Sequence, residues 1–89
     1  MPRYIGLMKY RKKTTNEMVI ESLAQIKKDR QMGVIVHEIY WTLGQYDAVI
    51  IFDAPDEKIA MKFSIARADD ASVETMVAIP LNTARKLAE

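Results

Sequence analysis

The sequence predicts a single α+β domain in which a strand–helix–strand is followed by a second strand–helix–strand, with a short terminal helix after it. Three observations predict this. The chain has 89 residues, enough for one hydrophobic core and too few for a second. Apolar runs of period two alternate along it with segments of helical period. Glycine, proline and aspartate fall between these segments, where turns and helix ends need them.

Arg3 to Tyr10 reads as the first strand, with Ile5 and Leu7 alternating with Tyr4, Gly6 and Met8. The basic stretch Arg11 to Lys13 ends it. Thr14 and Glu17 have the spacing of a capping box, so a helix is expected to start there. Val19, Leu23, Ile26 and Arg30, joined by Met18 and Ile20, form its stripe, and Gly33 is placed to close it. Val34 to Leu43 and Tyr46 to Ala54 are two β-rich runs separated by Gly44-Gln45, a hairpin signal. After Pro55, Asp56 is the expected N-cap of a second helix, whose buried face is Ile59, Ala60, Phe63 and Ala66. Asp69, Asp70 and Ser72 make a polar turn. Val73 to Ile79 is a last strand stopped by Pro80, and Leu81 to Glu89 a short helix capped near Asn82 or Thr83. Right-handed crossovers place both main helices on one face of a four-stranded antiparallel sheet, the ferredoxin-like βαββαβ sandwich.

Composition narrows the function classes. With no cysteine there is no disulfide framework or thiolate metal site, and a single histidine, His37, argues against zinc. His37 is expected on the helix side of an edge strand in a structural role. No glycine-rich phosphate loop is present, and no serine–histidine–acid set can be assembled from Ser22, Ser64 and Ser72. No metal and no cofactor is therefore expected. The net charge of +1 gives no strong field. The basic clusters Lys9, Arg11, Lys12, Lys13 and Lys27, Lys28, Arg30 read as solvated surface rather than a nucleic-acid patch, because no aromatic platform accompanies them. Without an apolar leader or a span-length apolar segment, the expected location is the cytoplasm.

A sheet covered on one face only should alternate apolar and polar residues. Ala48 to Phe52 is apolar on both faces, so the second face is expected to be covered by another copy of the chain, giving a sheet-to-sheet homodimer or a higher homo-oligomer. With a two-residue Gly44-Gln45 turn, parity puts Ile35, Ile39, Trp41, Ala48, Ile50 and Phe52 with Ile5 and Leu7 under the helices. The other face then carries Tyr4, Met8, Glu38, Tyr40, Thr42, Asp47, Val49 and Ile51, with Glu74 and Met76 if Val73, Thr75 and Val77 face the helices. Together with Tyr46, the residues Tyr4, Met8, Glu38, Tyr40, Thr42, Asp47, Glu74 and Met76 are the candidate lining of an interface pocket for a small organic molecule. Equally, tyrosine and methionine serve a plain dimer interface. Glu38, Asp47 and Glu74, with Tyr40, are the acid–base candidates if the chain is a cofactor-independent enzyme. A purely structural assembly subunit is the third reading.

The segment from Glu38 to Asp47, followed by Ala54-Pro55-Asp56, resembles the GYD domain family, whose Gly-x-Tyr-Asp element is represented by Gly44, Tyr46 and Asp47. The opening Pro2-Arg3-Tyr4-Ile5 is similar to the family's usual start, and the resemblance spans nearly the whole chain. It implies a ferredoxin-like fold of the dimeric α/β-barrel group. The same turn resembles one in the ligand-sensing domain of leucine-responsive transcription regulators, which bind amino acids at subunit interfaces, although the helix-turn-helix part is not matched here. Barrel relatives include cofactor-free monooxygenases and isomerases, none of whose catalytic motifs is matched. Without any ligand, Gly44 serves a turn, Tyr46 covers the end of the sheet and Asp47 accepts backbone amides.

Overall fold

A computed structural model describes all 89 residues. The elements run β1 (Arg3–Tyr10), α1 (Asn16–Gln31), β2 (Ile35–Trp41), β3 (Ala48–Asp53), α2 (Glu57–Ile65), β4 (Ala71–Ala78) and α3 (Leu81–Leu87). The strands form one antiparallel sheet in the order β2-β3-β1-β4, with α1 and α2 on one face. This is the ferredoxin-like sandwich expected from the sequence. No helix is long and apolar enough to cross a membrane.

The helix ends follow local chemistry. Thr15, not Thr14, caps α1: its hydroxyl accepts from the Met18 amide at 3.3 Å, and Glu17 sits in the first turn without closing a capping box. At the far end Gly33 adopts φ +93°, which lets Val34 N–H donate to Asp29 O and Gly33 N–H to Arg30 O, satisfying carbonyls of the last turn. Asp56 caps α2 as expected, accepting from Ile59 N–H at 2.9 Å. Pro80, rather than Asn82 or Thr83, stands at the cap of α3 and offers no side-chain hydrogen bond.

The core is centred on three stacked rings. Tyr4 lies 5.5 Å from Phe52, and Phe52 lies 4.0 Å from Phe63 of α2. That stack inverts the expected faces of β1. Tyr4, Gly6 and Met8 pair with Phe52, Ile50 and Ala48 under the helices, whereas Ile5 and Leu7 pair with Ile51 and Val49 on the open face. Gly6 lies beside the Phe52 ring, where a Cβ would make ordinary contact at 3.8 Å, so the stack of Tyr4 on Phe52 and Phe63 is what turns this face of β1 inward.

The second departure is a bulge. Parity holds from Trp41↔Ala48 to Glu38↔Ile51, the register a Gly44-Gln45 turn implies, although the loop runs from Thr42 to Asp47. It then shifts at His37, because Val36 pairs with Phe52. An extra residue reverses the face of everything before it. Val36 therefore packs against the core, and Ile35 and His37, both expected under the helices, lie on the open face.

The two helices bind the sheet unequally. The nine-residue α2 buries Ala60 and Phe63 completely or nearly so. In the sixteen-residue α1 the one fully buried residue is Asp29, while Ile20, Leu23 and Arg30 of the expected stripe are exposed. Asp29 meets Arg67 at 2.6 Å and Gln25 at 3.2 Å, and the Arg67 guanidinium lies 3.7 Å over the Phe63 ring. An aspartate in the last turn of a helix opposes the helix dipole; here a guanidinium from the end of α2 offsets it and ties the two helices together.

Candidate functional site: the open face of the sheet

Strand pairing arranges the open face in rows. Met76, Ile5, Ile51 and Glu38 form one row, and Glu74, Leu7, Val49 and Tyr40 the next. A third row joins Ala78, Arg3, Asp53 and Ile35. The centre is thus four aliphatic side chains, Ile5, Leu7, Val49 and Ile51, and the polar groups stand around it. No element of the chain covers this face.

Three polar groupings mark the rim. Tyr40 donates its hydroxyl to Glu38 at 2.6 Å along β2. Tyr46, in the loop before β3, donates to Glu74 of β4 at 2.8 Å. Both phenols are pushed above their ordinary pKa, chiefly because the hydroxyl is hydrogen-bonded to a carboxylate. They are therefore proton donors, not bases, at neutral pH. The third grouping is Asp53, which accepts from Arg3 Nε at 2.9 Å and lies 2.8 Å from His37 Nε2. Hydrogen bonding from Arg3 first, and His37 second, lowers the Asp53 pKa to about 2. His37 Nε2 also lies 3.1 Å from Arg3; a single nitrogen cannot accept from Arg3 while donating to Asp53, and the shorter contact fits a proton on Nε2.

Of the residues singled out from the sequence, Glu38, Tyr40, Glu74 and Met76 lie on the open face, with the Tyr46 hydroxyl joining them. Tyr4 and Met8 do not: both are 4% exposed and belong to the core beneath the helices. Thr42 and Asp47 are engaged with backbone. The Thr42 hydroxyl donates to Tyr46 O at 2.6 Å, and the Asp47 carboxylate accepts from Tyr10 N–H at 2.8 Å, fixing the end of β1 to the hairpin. The three acid–base candidates do not meet within the chain. Glu38 and Glu74 stand on opposite edge strands, three interstrand spacings or about 14 Å apart across the sheet, and one row apart along it.

Sequence reasoning missed a cavity of about 260 Å³ on the other side of the sheet, beneath α1. Tyr10, Ser22 and Trp41 give it neutral polar groups. The one available signal was Tyr10 at the end of β1, on the same parity as Tyr4.

Comparison with known proteins agrees with the fold. A family model described as GYD domain matches residues 4–88. The crystal structure of FFRP-DM1 is similar over 89% of this chain and 100% of its own, at 23% sequence identity and a TM-score of 0.63. That likeness is one of fold. None of the curated proteins matches the chain.

Proposed function

The chain belongs to the GYD domain family, and we propose that two copies of it associate through their open sheet faces and hold a small organic molecule between them. One observation carries this reading: an aliphatic centre of Ile5, Leu7, Val49 and Ile51 is left uncovered by the chain and is ringed by hydrogen-bonded acid–phenol pairs. A second copy covers the aliphatic centre and makes a dimeric α/β barrel, relieving the exposed apolar surface. The carboxylates keep free lone pairs after Tyr40 and Tyr46 have donated to them. Between two sheets those lone pairs need water or a ligand donor, which favours an enclosed polar molecule over a dry interface. Binding is favoured over a cofactor-independent isomerase because Glu38 and Glu74 stand on opposite edge strands and each already accepts a tyrosine hydroxyl, from Tyr40 and Tyr46.

Sedimentation equilibrium at micromolar concentration tests the association. The parent is expected to be a dimer or larger, and Ile51→Lys, which places a charge at the aliphatic centre, a folded monomer. A monomeric parent overturns the reading. A thermal-shift screen against small alcohols, acids and amides then tests the pocket. Stabilising compounds should lose their effect in Glu74→Gln, which retains an acceptor for Tyr46 but not the charge.

A further inference from the structure

The cavity beneath α1 is a gap built into the packing. Phe63 of α2 lies flat on the sheet, but α1 is fastened at its C-terminal end by Asp29 and Arg67 and stands away from the sheet along its middle. The residues around the gap are small where large ones would close it: Ser22 on the helix, Ala66 after α2 and Ala71 at the start of β4. Its floor is Met8, Ile39 and Ile50, and Val19 and Ile26 form the roof. At about 260 Å³ the cavity lies between one that holds benzene, roughly 150 Å³, and the roughly 300–1,000 Å³ of sites for drug-sized molecules.

Tyr10, Ser22 and Trp41 give the cavity neutral polar groups. Tyr10 is half-buried, and burial raises its pKa above 10.0. The charges around the gap do not invite an anion. Arg67 is taken up by Asp29 and by the Phe63 carbonyl at 3.1 Å, and the remaining charged groups of the lining, Glu21 and Asp70, are both acidic.

We propose that this cavity binds an uncharged molecule of one or two rings bearing a carbonyl or hydroxyl oxygen, which Trp41, Tyr10 and Ser22 hydrogen-bond. The site lies on the helix side of the sheet and is independent of the open face. An indole N–H presented at an apolar wall recognises an oxygen acceptor, and the phenol and serine hydroxyls can each donate or accept. The apolar floor and roof take the ring.

Trp41 is the only tryptophan, so its indole N–H gives a single side-chain signal in a nitrogen-15 correlation spectrum. The experiment titrates the full chain with acetophenone and, separately, with ethylbenzene, which has the same ring without the oxygen. A saturable movement of the indole signal is expected with acetophenone, at several-fold lower concentration than with ethylbenzene. Tyr10→Phe should narrow that difference while leaving ethylbenzene unaffected. Ser22→Leu, which fills the gap, should abolish saturation with both, its fold checked by the dispersion of the backbone amides; if that variant does not fold, the Tyr10→Phe comparison decides. An indole signal that does not move, that moves linearly without saturating, or that responds identically to the two compounds in the parent and in Tyr10→Phe overturns the proposal.

Discussion

Asp47 offers the sharpest test of whether a residue of the Gly-x-Tyr-Asp turn serves the fold or a ligand. Its carboxylate accepts from Tyr10 N–H at 2.8 Å in a part-buried position, its own N–H donates to Met8 O at 2.8 Å, and its carbonyl accepts from Thr42 N–H at 2.9 Å. The backbone bonds survive any side-chain change, so a substitution isolates the contact to Tyr10. A hydrogen bond to a charged acceptor contributes roughly 1.5–3 kcal/mol, and removing the acceptor leaves a half-buried amide without a partner. Asp47→Ala should therefore cost about 2 kcal/mol. For a domain of this length that corresponds to roughly 10 °C in melting temperature. Asp47→Asn, whose amide oxygen still accepts, should recover about half of the loss. Thermal melts followed by far-ultraviolet circular dichroism measure both, at one fixed protein concentration because self-association makes the midpoint concentration-dependent. Stability tracking hydrogen-bonding capacity, in the order Asp, Asn, Ala, supports a structural role. Two variants as stable as the parent would refute it and return Asp47 to the list of ligand-binding candidates.

Two further outcomes follow from the charged groups. Arg67→Met leaves the fully buried Asp29 carboxylate with only the Gln25 amide and should destabilise the domain by about 3–5 kcal/mol, whereas Asp29→Leu combined with Arg67→Met should recover most of that loss in denaturant titrations. Asp53, with its folded pKa at about 2 against an ordinary 3.8, contributes stability that is present above pH 4 and is lost as the pH falls towards 2. Melting temperatures across that window should fall more steeply for the parent than for Arg3→Gln, and parallel curves would show that the Arg3–Asp53 pair adds nothing to the fold.

The order of elements was legible because each boundary has its own chemistry: Gly33 at a positive φ, Asp56 as an N-cap, Pro80 after the last strand. Faces were harder to read. A strand apolar on both sides gives hydrophobicity nothing to decide with, and Ile5 and Leu7 read as core more readily than Tyr4 and Gly6. What decided β1 was shape. Tyr4 stacks on the Phe52 ring, which stacks in turn on Phe63, and Gly6 lies beside the same ring. The register across Gly44 was recoverable from the turn, yet the bulge at His37 was not, since nothing in Val36-His37-Glu38 distinguishes an extra residue from a paired one. The open-face half of the candidate site survived because Glu38, Tyr40, Glu74 and Met76 all lie beyond the bulge or on the other edge strand.

Asp29 shows a different limit, and it bears on the helix-side cavity. Charged residues are assigned to the solvent side of a helix because burial of an unpaired charge is costly. In α1 that rule selects Leu23 for the core and Asp29 for water, and the structure does the reverse. The partner that makes Asp29 burial tolerable lies 38 residues away in sequence, so no local pattern could announce it. Once formed, the pair constrains geometry in a way an aliphatic contact would not. A guanidinium and a carboxylate meet in a narrow range of orientations, and Arg67 is itself fixed against the Phe63 ring and carbonyl. The C-terminal end of α1 is held in place by directional bonds, and the rest of the helix need not press onto the sheet for its position to be fixed. An apolar anchor at the same point would have gained by drawing the helix down. The ion pair gains nothing from closer packing, and that is the physical reason a cavity persists under α1.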